Sequence, residues 1–155
     1  MRQMIKAALL QEIVNRKTGG GGGTGMNIRY IRDWCGHSQI DGYSNWREIM
    51  ALDSEGFNVA AFKTIINPFS GAISYIIDNN FDTLVLGDGL QNVLIDLGAL
   101  YNIMEIKVWH YYDGGEIHQQ TKTEVSVDGI SWTTIFDSAI SGTYTETEEG
   151  KTYIL

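Results

Sequence analysis

The chain has 155 residues with 19 acidic and 11 basic side chains, a net charge of −8, which suits one domain burying roughly two thirds of its unfolded surface and is short for a two-domain enzyme. The acidic balance argues against a broad phosphate-tracking face, so nucleic acid is not an expected partner. The apolar run Ala7–Leu10 is interrupted by Gln11 and Glu12, which argues against a signal peptide and against membrane insertion, and one cysteine, Cys35, excludes an internal disulfide.

In the first segment Met1, Ile5, Leu9 and Ile13 recur four residues apart, with Leu10 and Val14 widening the stripe. That period predicts a short amphipathic helix over residues 1–18. So short a helix is marginal alone in water, so its apolar stripe is expected to bury against another copy, the main domain or a larger assembly. Residues 19–25, Gly-rich from Gly19 to Gly25, form a tether of roughly 15 Å in the random-coil regime. Gly20, Gly22 and Gly25 satisfy G-x-G-x-x-G, but the match is trivial in a glycine run. No strand pattern precedes it and no phosphate-binding lysine accompanies it.

From Met26 the period changes to two, and residues 26–155 read as the main body. Ile28, Tyr30 and Trp34 alternate with polar positions; Trp46, Glu48, Met50 and Leu52 are placed on one face of a second strand; Val93, Ile95 and Leu97 share a face in a third. Ile106 with Val108, then Thr123, Val125 and Val127, then Thr133 with Ile135, continue the series. Ser54-Glu55-Gly56, Gly87-Asp88-Gly89, Asp113-Gly114-Gly115 and Asp128-Gly129 supply turns between them. With 18 glycines, 8 tyrosines and 4 tryptophans, this pattern predicts an all-β domain of about eight short strands at sandwich-like spacing.

Three segments carry a resemblance. Val93-Leu94-Ile95-Asp96-Leu97-Gly98 is a strand ending in Asp-Leu-Gly, Tyr101–Trp109 is a strand of alternating apolar residues, and Thr123–Trp132 has the form Ser-x-Asp-Gly-x-x-Trp. In this order they resemble the discoidin, or coagulation-factor type C, family of galactose-binding-like modules. The resemblance implies a jelly-roll β-sandwich that binds glycans or other surface ligands. Arg29–Arg32 and Trp46–Ile49 resemble strands that close the family's domain, and Asn58-Val59-Ala60 resembles its opening segment, so the order implies a circular permutation. Similar arrangements occur in structural proteins of bacterial viruses. The resemblance thus implies a non-enzymatic head or tail fibre or decoration protein at the virion surface, synthesised in the host cytoplasm. Its partners would be glycans, other virion proteins through the N-terminal helix, and further copies of itself; the alternative is a purely structural subunit making protein contacts alone.

The same resemblance implies a structural calcium ion held in a loop of the form Asp-Gly-Asn-x-x-Thr with a glutamate from a closing strand. Here Asp78, Asn80 and Thr83 match the loop, Asn79 stands where the family has glycine, and Glu48 matches the glutamate. Calcium takes hard oxygen ligands, which these side chains provide.

A sugar site needs an aromatic face and polar groups that read hydroxyls. Two loops offer both. His110–His118 supplies Tyr111, Tyr112, Glu116 and His118; Trp34–Asn45 supplies His37, Asp41 and Tyr43. His37, His110 and His118 fit no short zinc motif by spacing. Trp109 and Trp132 read as core, Cys35 as a small buried residue, and Glu146, Glu148 and Glu149 as a solvated hairpin tip. No serine or cysteine lies in a recognised nucleophile context, and carboxylate pairs are uninformative among 19 acids, so no enzyme activity is expected.

Overall fold

The computed structural model describes residues 24–155. The helix expected at 1–18, and the tether up to residue 23, lie outside the described residues. The described chain is all-β. Its strands are β1 Met26–Cys35, β2 Tyr43–Asp53, β3 Thr64–Ile65, β4 Val85–Asp88, β5 Gln91–His110, β6 Lys122–Ser126, β7 Thr133–Asp137 and β8 Lys151–Ile154. A 3-10 turn at Ile73–Ile77 and one helical turn, α1 at Ser138–Ser141, complete the elements. No helix among the described residues is long and apolar enough to cross a membrane.

The strands form one antiparallel sheet in the order β4-β2-β5-β1-β6-β7, with β3 and β8 also paired to β5. β5 is the spine. Its first part pairs with β1 and β3, and its second part pairs with β2 and β8. Between the two parts, Gly98 at φ +84 and the exposed Ala99 and Leu100 form an excursion opposite Arg29 of β1. Glycine relieves the backbone there, because a left-handed φ is costly for other residues.

The first part of β5 keeps the expected alternation: Val93, Ile95 and Leu97 are sealed from solvent and their neighbours are half-buried. In its second part, and along β2, both faces are covered. One face joins Ile49, Ala51, Ile106 and Val108 to the main core with Ile28, Ile31, Cys35 and Trp46. The other packs Met50, Leu52 and Trp109 against Phe81 and Tyr112, with Phe81 edge-on to Trp109 at 4.8 Å.

Two β-bulges change faces assigned from alternation. One lies between Ile28 and Tyr30, and it turns Ile31, Asp33 and Cys35 inward while Tyr30 and Trp34 stay half-buried. The other lies between Trp46 and Glu48; it sends Trp46 into the main core and leaves Glu48, Met50 and Leu52 on the opposite face. One extra residue inverts every later side chain, because the strand period is two. Val127 lies beyond the end of β6 and is exposed, and Trp132 is half-buried beneath the Arg32 guanidinium, 4.0 Å from its ring centroid. Trp109 is fully buried, as expected.

Gly150 closes the turn before β8 at φ +71, and a Cβ there would lie 2.5 Å from the Trp109 ring. Gly150→Ala is therefore expected to lower stability by roughly 1–3 kcal/mol. A urea titration reads this as a lower midpoint at unchanged slope.

Candidate functional site

The segments after β1 and β5 lie side by side. Gly36 N–H donates to Gln119 O at 2.7 Å, Gln119 N–H to His37 O at 3.1 Å and Gln39 N–H to Ile117 O at 3.2 Å. Ser38 and His118 form an antiparallel bridge. The approach needs glycine at 36, since a Cβ would stand 2.6 Å from Gln119 O. On the outside, His37, Asp41 and Tyr43 are exposed and Tyr111 and Tyr112 half-buried. Asp41 accepts from Tyr43 N–H and from Asn45 Nδ2, which fixes the turn before β2. The Arg47 guanidinium lies 4.9 and 4.8 Å from the centroids of Tyr111 and Tyr112 and donates to Asp113 Oδ2 and Phe81 O.

Glu116 and His118, read from sequence as rim residues, are turned inward. Each is at most 2% exposed, so a ligand on the rim does not reach them. They belong to a sealed polar cluster under the two segments, together with Asp33, Cys35, His110 and Glu146. Asp33 organises it: its carboxylate accepts from Trp46 Nε1 at 2.8 Å and Thr123 Oγ1 at 2.7 Å and meets His110 Nε2 at 3.0 Å. The other His110 nitrogen, Nδ1, meets Glu146 Oε1 at 2.7 Å. With a carboxylate on each side, His110 carries both ring protons.

The two buried rings hold opposite charge states. Burial opposes the His110 imidazolium, yet the surrounding negative groups, Glu146 and the hydrogen-bonded Asp33 among them, hold its pKa well above the ordinary value. Cys35 adds to this only when ionised, and burial pushes its thiol up, so at neutral pH the carboxylates supply the attraction. Burial and the neighbouring His110 charge drive His118 down to about 3, so it is neutral. Burial also raises Glu116, despite a hydrogen bond with Ser38, and Asp41, Asp113 and Glu146 push the same way.

On the far face of β2, Glu48 is fully buried and neither carboxylate oxygen has a hydrogen-bond partner. It lies against the Asp78 turn. Burial and the Asp78 charge push its pKa up to about 9, and the backbone N–H groups of Asn79 and Asn80 offset part of that without reaching hydrogen-bonding geometry. Asn79 adopts φ +59, a left-handed backbone that asparagine tolerates better than most residues. Asp78 Oδ1 accepts from Asn80 N–H, Asn80 Oδ1 from Asp82 N–H, and Thr83 Oγ1 donates to Asn80 O. An orphaned buried carboxylate facing an aspartate turn fits a hard divalent cation, with Glu48 and Asp78 as its anionic ligands and Asn80 and Thr83 tied into the surrounding turn.

Asp33 and Glu146 are the residues that sequence reasoning missed. Asp33 shares its strand period with Ile31 and Cys35, a carboxylate in phase with buried positions, and Glu146 sits two residues after the half-buried Tyr144. Glu146 is 3% exposed and bonded to His110, not part of a solvated tip.

Asp33→Ala leaves Trp46 Nε1, Thr123 Oγ1 and a charged His110 without their acceptor. Its expected cost is roughly 3–5 kcal/mol, because a buried charge loses its counterpart. Chemical denaturation measures this, and wild-type stability in the variant would show that Asp33 does not tie these strands. No family model, no curated protein and no solved structure matches the chain.

Proposed function

We propose that the protein is a non-enzymatic carbohydrate-adhesion module, a permuted discoidin-like jelly roll displayed on a virion surface. The observation that carries the reading is the joining of the two segments after β1 and β5 into one rim, with Tyr43, Tyr111 and Tyr112 beside His37, Asp41 and Asp113. Aromatic faces receive the C–H side of a pyranose, and carboxylates and imidazole accept or donate to its hydroxyls. Affinity per copy would be modest. Display of many copies, docked through the N-terminal segment, would raise avidity.

Dense glycan arrays probed with a multivalent form of the full chain test this. Binding above background that is lost in Tyr43→Ala and Asp41→Ala is the expected outcome. The second reading, a decoration or fibre subunit making protein contacts alone, is favoured by the stacking of Arg47 on Tyr111 and Tyr112, which occupies ring faces that a sugar would use. Array signals at background throughout would leave that second reading in place.

Calcium at Glu48 and Asp78 would pin the loop, and has no catalytic part in this reading. In the metal-free chain Glu48 has a pKa of about 9 against an ordinary 4.5, so it keeps a proton that the unfolded chain releases. That contribution is complete below about pH 4.5 and is lost as pH rises through 9. In chelator, Tm should therefore fall across this window. Calcium replaces the proton's charge and should raise Tm most at the alkaline end, and Glu48→Gln should remove both effects. Melts that coincide in chelator and in excess calcium at every pH would exclude the ion.

A further inference from the structure

We propose that Cys35, His110 and His118 form a buried zinc site, with Glu146 as the fourth ligand and Asp33 orienting His110. One ligand atom from each of Cys35, His110 and His118 lies within 4.8 Å of the others, and all three side chains are buried. Zn–S and Zn–N bonds of about 2.3 and 2.0 Å place tetrahedral ligand atoms roughly 3.3–3.8 Å apart. A contraction of at most roughly 1–1.5 Å therefore closes the site.

A separate observation points to a missing occupant. Both His118 ring nitrogens are sealed from solvent and have no hydrogen-bond partner, and Glu116 Oε2 is in the same condition. The Glu116 and Glu146 carboxylates stand 3.6 and 3.8 Å from His118 Nε2 and Nδ1, too far to bond. Buried polar atoms rarely stay unpaired, because desolvation costs about 1–3 kcal/mol per group. A neutral imidazole, with one nitrogen lone pair free, is the form a metal binds.

The donor set selects the metal. Thiolate and imidazole favour zinc and other late transition ions over calcium or magnesium. Asp33, held by Trp46 and Thr123, keeps one His110 proton and so provides the carboxylate–histidine–metal relay that fixes a ligand ring. Glu146 stands between the rings, hydrogen-bonded to His110 Nδ1 at 2.7 Å and 3.8 Å from His118 Nδ1, within reach as a fourth ligand.

Charge balances. Zn²⁺ enters as the Cys35 thiol and one His110 nitrogen each release a proton, so the sealed cluster exchanges two positive charges for two. No net charge is added to the interior. This site is separate from the Glu48–Asp78 pair in place and in ligand chemistry, and it does not depend on the carbohydrate reading.

The test uses the full chain, expressed with zinc, dialysed against metal-free buffer and analysed by mass spectrometry for bound metal; a second sample is refolded with Co²⁺. The expected result is one zinc per chain and a cobalt spectrum with a thiolate charge-transfer band and intense tetrahedral visible bands. Cys35→Ser should lose the charge-transfer band, and Asp33→Asn should weaken zinc binding by roughly 10–100-fold. Zinc retention at background in the wild-type chain would overturn the proposal. So would a cobalt spectrum of octahedral, oxygen-only type, which would assign the ion to Glu48 and Asp78. The wild-type cobalt spectrum decides the matter even where a variant fails to fold.

Discussion

One buried carboxylate holds the centre of the molecule together. Asp33 projects from β1 into the interior and receives groups from β2, β5 and β6 through Trp46, His110 and Thr123. Hydrophobic burial drives the strands together and sets which face is inward. Three directed contacts on two oxygen atoms add a fixed geometry between four strands, since a slip of one residue would remove all the donors at once. The bulge after Ile28 puts Asp33 on the inner face, so the irregularity in β1 and the polar centre are parts of one arrangement.

The centre divides the protein by chemistry. Deep in the fold, β1 and β5 carry Cys35, His110 and Asp33; outside them the two following segments are joined by backbone hydrogen bonds and close over Glu116 and His118. The rim left at the surface belongs to Tyr43, Tyr111, Tyr112, His37 and Asp41. On the opposite side of β2, Glu48 meets the Asp78 turn. The cysteine and the two buried histidines are therefore gathered under the rim with Asp33, Glu116 and Glu146, apart from the Glu48–Asp78 pair.

Much of the fold was legible in the sequence because strand periodicity and turn chemistry are local signals. Val93, Ile95 and Leu97 are placed as alternation demands, and the glycines at 56, 89, 114 and 129 adopt the positive φ that their turns need. Alternation failed in β1 and β2, where a single extra residue reverses the faces, and in the second part of β5, where both faces are covered. The site was less legible. Composition singled out two segments that the fold joins, but spacing could not show that Cys35 takes the place beside His110 and His118 while His37 stays exposed. Nor could it show that Glu146, 36 residues from His110, is the buried member of its acidic group.

The length of β5 also governs how the protein assembles. A single strand shared by four partners brings the pairings of β1, β2, β3 and β8 onto one element. Most of those pairings join distant parts of the chain, so the entropy of closing large loops must be met before any partner rewards it. The spine thus places the domain among folds whose assembly is expected to be slow for their size.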